Sequence, residues 1–421
     1  MDRSHLGPSR RLIVAGPLLL FVAVALYGLE FSTWHAYVTQ IDAMVYRFGG
    51  QRVLNGRDLY STGIFGSHRI LLFTYTPFAA LCFIPLNLLT LPWLRALSLL
   101  SAAGLLAYSI DRMLTAMSMP QRRGRWTLTA LLLALCLWLE PVRYSIQLGQ
   151  INLLILAVVV ADLLGPARRR WAGVGIGVMA GIKLTPAIFL LLLFLIGRRR
   201  ASAVGVVAFF ATIAAGFATL PGDSIKYWLG GEFDDPHRVS PDPSLSSSVQ
   251  GLFMRFHYPV WLAMVVSVSL VLACLAIAVR AWRQDSPLLA VSLVGMGGAA
   301  ASPFSWSHHW VWVGPLVVHL GYRGYVTGSV GAVRAMWLLW ALTAGWLISL
   351  HGWAPASGMV ALRPGGVWNA LLPSAYVLCL LVALCVSALW LRRETSRRPG
   401  VVLPGSSPAG ARLIQPDKTL T

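Results

Sequence analysis

Asp42 is the first acidic residue beyond the first long apolar run of the chain, within Ile41-Asp42-Ala43-Met44-Val45-Tyr46-Arg47-Phe48-Gly49-Gly50. Apolar Ile41, Val45, Phe48, Val53 and Leu54, with Tyr46, Arg47, Gln51 and Arg52 between them, predict a short helix lying in a membrane interface, apolar side down. Such a helix holds the Asp42 carboxylate just above a bilayer, where it can take a proton from a hydroxyl arriving from the water side. A structural alternative stands beside this: Asp42 caps the helix or pairs with Arg47.

Other polar side chains have the same character. Glu140, Gln147, Gln150, Asn152, Lys183, His308 and His309 fall at the outer ends of apolar runs or at the tip of a hairpin. Ionisable residues beside membrane spans are candidates for function. Each has a plainer role open to it: Lys183 snorkels to the interface, Glu140 ends a helix before Pro141, and the histidines sit among tryptophans at the interface. Adjacent His308 and His309 point about 100° apart on a helix, and no second set has zincin spacing, so a metal centre is not indicated.

These residues need elements to hold them, and the composition says which kind. The chain has 421 residues, 57% hydrophobic and only 12% charged, against about 25% charged in soluble domains. Apolar runs near 20 residues recur along it, which makes it a polytopic all-α membrane protein. The formal charge is +19, from 34 Lys+Arg against 15 Asp+Glu. The arginines cluster in short loops, as inside-facing charges do, and no nucleic-acid motif accompanies them. The five cysteines lie in apolar runs and read as small buried hydrophobes.

Arg3, Arg10 and Arg11 put the N-terminus in the cytoplasm, ahead of a retained first span over Leu12–Phe31. Residues 32–69 are then outside. Between 70 and 113, Pro77, Pro85 and Pro92 fit one full span plus a broken or re-entrant piece. Residues 171–197 lie between two arginine triplets and form a pair of short helices or a dip, with Lys183 and Pro186 at the tip. Gly173, Gly177 and Gly181 repeat every four residues, a pattern of close helix packing. The acidic loop 221–258 and residues 302–310 are outside, and Arg392, Arg393, Arg397 and Arg398 hold the C-terminus inside. The span-length rule yields about 12 crossings. Residues 1–395 form the membrane domain, and 396–421 a disordered cytoplasmic tail.

Five motifs carry a resemblance. Asp42-x-x-Val45-Tyr46-Arg47-x-Gly49-Gly50 with Val53-Leu54-x-Gly56-x-x-Leu59-Tyr60 is the first. Phe73-Thr74-Tyr75-Thr76-Pro77-Phe78-Ala79-Ala80-Leu81, Gly149-Gln150-Ile151-Asn152-Leu153-Leu154 and Gly181-Ile182-Lys183-Leu184-Thr185-Pro186 follow. Ser302-Pro303-x-Ser305-Trp306-x-His308-His309-Trp310 is the last. Over residues 41–315 the chain resembles the actinobacterial polyprenol-phosphate-mannose-dependent α-1,2-mannosyltransferases of glycosyltransferase family 87, with the GT-C fold. Thr76 departs from a usual Pro, and Pro243–Gly251 departs from the family's Asn-Gln-Ser type loop, which leaves the acceptor open.

The resemblance implies a β-linked mannosyl phospholipid donor, a mannosylated glycolipid acceptor and inversion in one displacement. The acceptor would be a phosphatidylinositol mannoside, lipomannan or lipoarabinomannan. Asp42 matches the base position, and Lys183, His308 and His309 match the need for donors to the leaving phosphate. Tyr46, Arg47, Tyr75, Glu140, Gln150, Asn152 and Trp306 are the implied substrate contacts. No cofactor or metal is implied, and the active site faces the extracytoplasmic side. The alternatives are a lipid-linked-sugar transporter or flippase, or another GT-C glycosyltransferase with a different sugar; a transporter would show inverted repeats, and loops 32–69 and 221–258 share neither content nor flanks.

Overall fold

A computed structural model describes residues 10–33, 39–64, 66, 68, 71–119, 123–166, 169–240, 242–344 and 366–396. Beyond Ser396 the expected tail lies outside the described residues. The fold is all-α; among the described residues the one β feature is an isolated bridge between Leu139 and Ala344.

Helix α1 (Arg10–Thr33) packs along α5 (Arg123–Leu137). Between them come α2 (Ile41–Leu54), α3 (Pro77–Phe83) and α4 (Leu91–Ala116). The chain after α3 tightens into a 3-10 turn, Ile84–Leu88, so residues 77–116 form a broken piece followed by one long helix. Helices α6 (Glu140–Leu148) and α7 (Asn152–Leu163) meet at 119°. Gly149 makes that corner possible: it closes α6 in the left-handed region, φ 72°, where a side chain is strained.

Helices α8 (Val174–Ile182) and α9 (Ile188–Leu195) form the short hairpin with Lys183 at its tip. It leans on α10 (Arg199–Thr219) through the glycine stripe. A Cβ on Gly173 would overlap the Ala201 carbonyl, on Gly177 the Gly205 carbonyl, and on Gly181 the Thr212 side chain. At Gly173 and Gly177 backbone therefore touches backbone, the close approach that small residues permit in membranes. Helix α11 (Pro221–Trp228) and α12 (Val249–Arg255) flank the long loop between them. Helix α13 (Val260–Arg283) pairs with α14 (Pro287–Ala301), which is buried on nearly every side and forms the centre of the molecule. A 3-10 turn, Ser307–Trp310, leads into α15 (Val313–Thr327), followed by α16 (Val330–Thr343), α17 (Trp368–Leu371) and α18 (Ala375–Ser396).

By length and composition α4, α10, α13 and the stretch Trp368–Glu394 can each cross a membrane, and α6 with α7 makes a fifth if the bent pair is one span. Leu100 on α4, Val268 and Leu272 on α13 and Val382 on α18 are exposed, as lipid-facing side chains are. The molecule is a polytopic helical membrane protein.

One expectation gains detail and one needs correction. Helix α2 buries only Val45 of its apolar stripe. Its buried set is Ala43, Val45, Tyr46, Gly49 and Gly50, while Leu54 is exposed. The two glycines let the helix approach Phe73 and the end of α3, and a Cβ on Gly50 would stand 2.6 Å from the Phe83 carbonyl oxygen. Of the cysteines, Cys136 and Cys274 are buried, but Cys82 and Cys385 are exposed.

Candidate active site

The position of Asp42 is set before its helix begins. Gln40, the residue ahead of α2, adopts a left-handed conformation with φ 50°. Such a backbone persists only where neighbours hold it. Here the Gln40 N–H donates to the Gln147 carbonyl at 3.0 Å and its side-chain amide donates to the Ile146 carbonyl at 2.5 Å. Helix α2 is thereby fastened at its start to the end of α6.

Two residues on, Gln150 Nε2 donates to Asp42 Oδ2 at 2.6 Å. The other end of that amide, Oε1, accepts from the Tyr46 hydroxyl at 2.9 Å and the Tyr75 hydroxyl at 3.3 Å. The two phenols also meet at 2.9 Å. Gln150 is thus held by two hydroxyls and turns its N–H groups to the carboxylate. Burial pushes the Asp42 carboxyl up to about 6, against the Gln150 hydrogen bond and the Lys183 charge, which both hold it down. A base that titrates near the operating pH is well matched to proton transfer. The alternative pairing with Arg47 is not among the ion pairs of the described residues, which are Arg125–Asp111, Lys226–Asp58 and Arg238–Glu232. The Arg47 carbonyl accepts from Asn87 Nδ2 at 3.1 Å.

Lys183 ends α8. Its ammonium donates to Asn152 Oδ1 at 3.0 Å and lies 5.7 Å from the centre of the Tyr75 ring. Asn152 Nδ2 in turn donates to the His308 carbonyl at 2.8 Å. One amide therefore joins the lysine to the turn that carries both histidines. Thr76, where the resembled family has Pro, ties the same tip to α3: its hydroxyl donates to the Gly181 carbonyl at 2.5 Å and accepts from the Ala79 N–H at 3.1 Å.

The His308 and His309 rings meet edge-on at 4.7 Å, and Tyr144 approaches His308 at 5.2 Å. Burial and the Lys183 charge push both imidazoles well below their usual range, so both are neutral at pH 7. Both ring nitrogens of His308 and Nδ1 of His309 are buried without a hydrogen-bond partner among the described residues. Lys183, Asn152, Thr185, His309 and Trp312 line a small pocket. Trp306 lies 6.5 Å from His308, nearly parallel.

Glu140, expected among the substrate contacts, is bonded within the protein. Its carboxylate is buried, one oxygen accepting from Ser307 Oγ at 2.6 Å and the other from the Tyr376 hydroxyl. Both oxygens are engaged within the protein. The structure thus gathers Asp42, Tyr46, Tyr75, Gln150, Asn152, Lys183, His308 and His309 into one network, with Glu140 behind it. It also adds residues that sequence reasoning missed: Tyr144, Ser145, Ser307 and Tyr376. A lone tyrosine at the start of the last apolar run was the single available signal for Tyr376.

Residues 73–303, more than half of the chain, match glycosyltransferase family 87. The chain is 32% identical, over 80% of its length and 81% of the relative's, to a polyprenol-phosphate-mannose-dependent α-(1-2)-phosphatidylinositol mannoside mannosyltransferase of Mycolicibacterium smegmatis. A protein of the same name from Mycobacterium tuberculosis is 32% identical over 74% of this chain and 76% of its own. A pentamannoside mannosyltransferase of Mycolicibacterium smegmatis is 31% identical over 81% of this chain and 84% of its own. With a family match over most of its central region and relatives aligned along four-fifths of its length, this chain belongs to glycosyltransferase family 87.

Proposed function

We propose that the protein transfers mannose from a polyprenyl-phosphate-mannose donor to a phosphatidylinositol mannoside, forming an α-1,2 linkage with inversion on the extracytoplasmic face of the membrane. The observation that carries this reading is the Asp42 carboxylate, oriented by Gln150 and within reach of the Lys183 charge. The fold is then of the GT-C type, and the shorter apolar helices cross as well, for about 12 crossings in all.

Asp42 is the general base. It takes the proton of the acceptor hydroxyl as that oxygen attacks the anomeric carbon from the face opposite the phosphate. The new C–O bond forms as the bond to the phosphate oxygen breaks, and the lipid phosphate leaves with both electrons. Negative charge grows on that phosphate in the transition state. Lys183 supplies a positive charge there, and the neutral His308 and His309 rings supply N–H donors. A phosphate oxygen would satisfy buried ring nitrogens that are otherwise costly. Tyr46, Tyr75, Arg47, Asn152 and Trp306 border the sugar and its acceptor. The test is purified protein in liposomes with polyprenyl-phosphate mannose and a phosphatidylinositol mannoside, followed by linkage analysis of the product. Absence of a mannosylated product, or a linkage other than α-1,2, overturns the proposal.

The orientation has its own test. In a cysteine-free background, Asn55→Cys and Asp242→Cys are expected to react with an impermeant maleimide added outside, and Arg169→Cys and Arg393→Cys only after lysis. All four positions are exposed. Labelling of Arg169→Cys in intact cells with Asn55→Cys protected inverts the topology.

A further inference from the structure

The geometry points to Glu140 as a positioning residue that sets how the donor phosphate is held, acting through Ser307 on the histidine turn; the inference rests on the function proposed above. Helix α6 carries an attachment at each end. At its start Glu140 accepts from Ser307, the first residue of the Ser307–Trp310 turn. One turn later Ser145 Oγ lies 3.3 Å from the His308 carbonyl. At its end the Ile146 and Gln147 carbonyls hold Gln40, and Gln150 holds Asp42. Nine helical residues rise about 13 Å. The base and the phosphate donors are thus spaced by one rigid element.

Tyr376 completes the device. Its hydroxyl takes the second Glu140 oxygen, and its ring stacks on Trp310 at 5.4 Å, the last residue of the same turn. The carboxylate is therefore clamped between α18 and the turn, and the turn is held at both ends. Both oxygens of the buried carboxylate are satisfied, and a buried polar group so held fixes the placement of its partners. The histidine rings themselves have no hydrogen-bond partner at three of their nitrogens among the described residues. Their pose depends on how the turn's backbone is held.

The experiment is a double-mutant cycle in liposomes, with wild type, Glu140→Gln, Ser307→Ala and Tyr376→Phe, and with Ser307→Ala repeated in a His308→Ala/His309→Ala background. For the single variants kcat/KM for polyprenyl-phosphate mannose is expected to fall roughly ten- to a hundredfold, the scale of an ångström of misplacement, while KM for the acceptor is unchanged. In the histidine-free background Ser307→Ala is expected to cost nothing more, because the group it acts through is gone. An equal loss in both backgrounds, or a shift confined to acceptor KM, overturns the inference. Should Glu140→Gln fail to elute as a single species in detergent, Ser307→Ala and Tyr376→Phe decide the matter. A wild type inert toward this donor overturns the proposed function instead, so the two failures are told apart.

Discussion

Asp42→Asn is expected to reach the membrane at wild-type level and to transfer mannose about 10²–10⁴ times more slowly, the usual contribution of a general base. The amide keeps the size of the side chain but cannot accept the hydroxyl proton. The loss belongs in kcat, with donor KM little changed, because the carboxylate works on the transition state. Asp58→Asn is the comparator. Asp58 lies beyond α2, accepts from the Tyr60 N–H at 2.8 Å and pairs with Lys226 on α11. It is a loop fastener, and its variant keeps most of the activity when matched for protein level. An active Asp42→Asn beside an inactive Asp58→Asn would move the base to Asp58.

Lys183→Met comes next. It keeps most of the aliphatic stem and removes the charge, which lies 5.7 Å from the centre of the Tyr75 ring. Loss of one preorganised partner for a developing oxyanion costs about 10²–10³ in rate, here read as kcat/KM for the lipid donor. The pH profile supplies a second readout. Asp42 must be ionised to act, so the rate falls as pH drops through about 6. Lys183 holds that carboxyl down. Without the ammonium the carboxyl titrates at higher pH, and the acid limb of the profile moves upward. An acid limb that stays in place would separate Lys183 from the base.

The groups that gather at the site stand out in the sequence because charge is rare in it. Against an apolar background, Asp42, Lys183 and the His308-His309 pair mark the ends of runs, and sorting runs by arginine-rich loops puts those ends on one face. The broken helix over 77–116 was equally legible, since Pro77, Pro85 and Pro92 interrupt the run. The hydroxyl partners were not. Tyr46 and Gln150 are 104 residues apart, Ser307 and Glu140 167, and Tyr376 and Glu140 236. Serine and tyrosine are common enough that no local pattern selects the pair that will meet. The protein-facing side of helix α2 was hidden for a different reason. Ile41, Val45 and Phe48 look like a face for lipid, but small size decides which side can approach another helix. Gly49 and Gly50, mute on a hydropathy scale, make the contact with Phe73 and α3.

The glycine stripe on α8 has a practical bearing on purification. Helices that pack through large apolar side chains exchange those contacts readily for detergent tails, which are just as apolar. The seam between α8 and α10 offers detergent little to occupy, because Gly173 and Gly177 bring the two backbones together and Gly181 lies against the Thr212 side chain. The Lys183 tip should therefore stay in register through solubilisation, and extraction conditions can be chosen for the long outer helices, whose exposed leucines and valines are the parts that depend on an annulus of lipid.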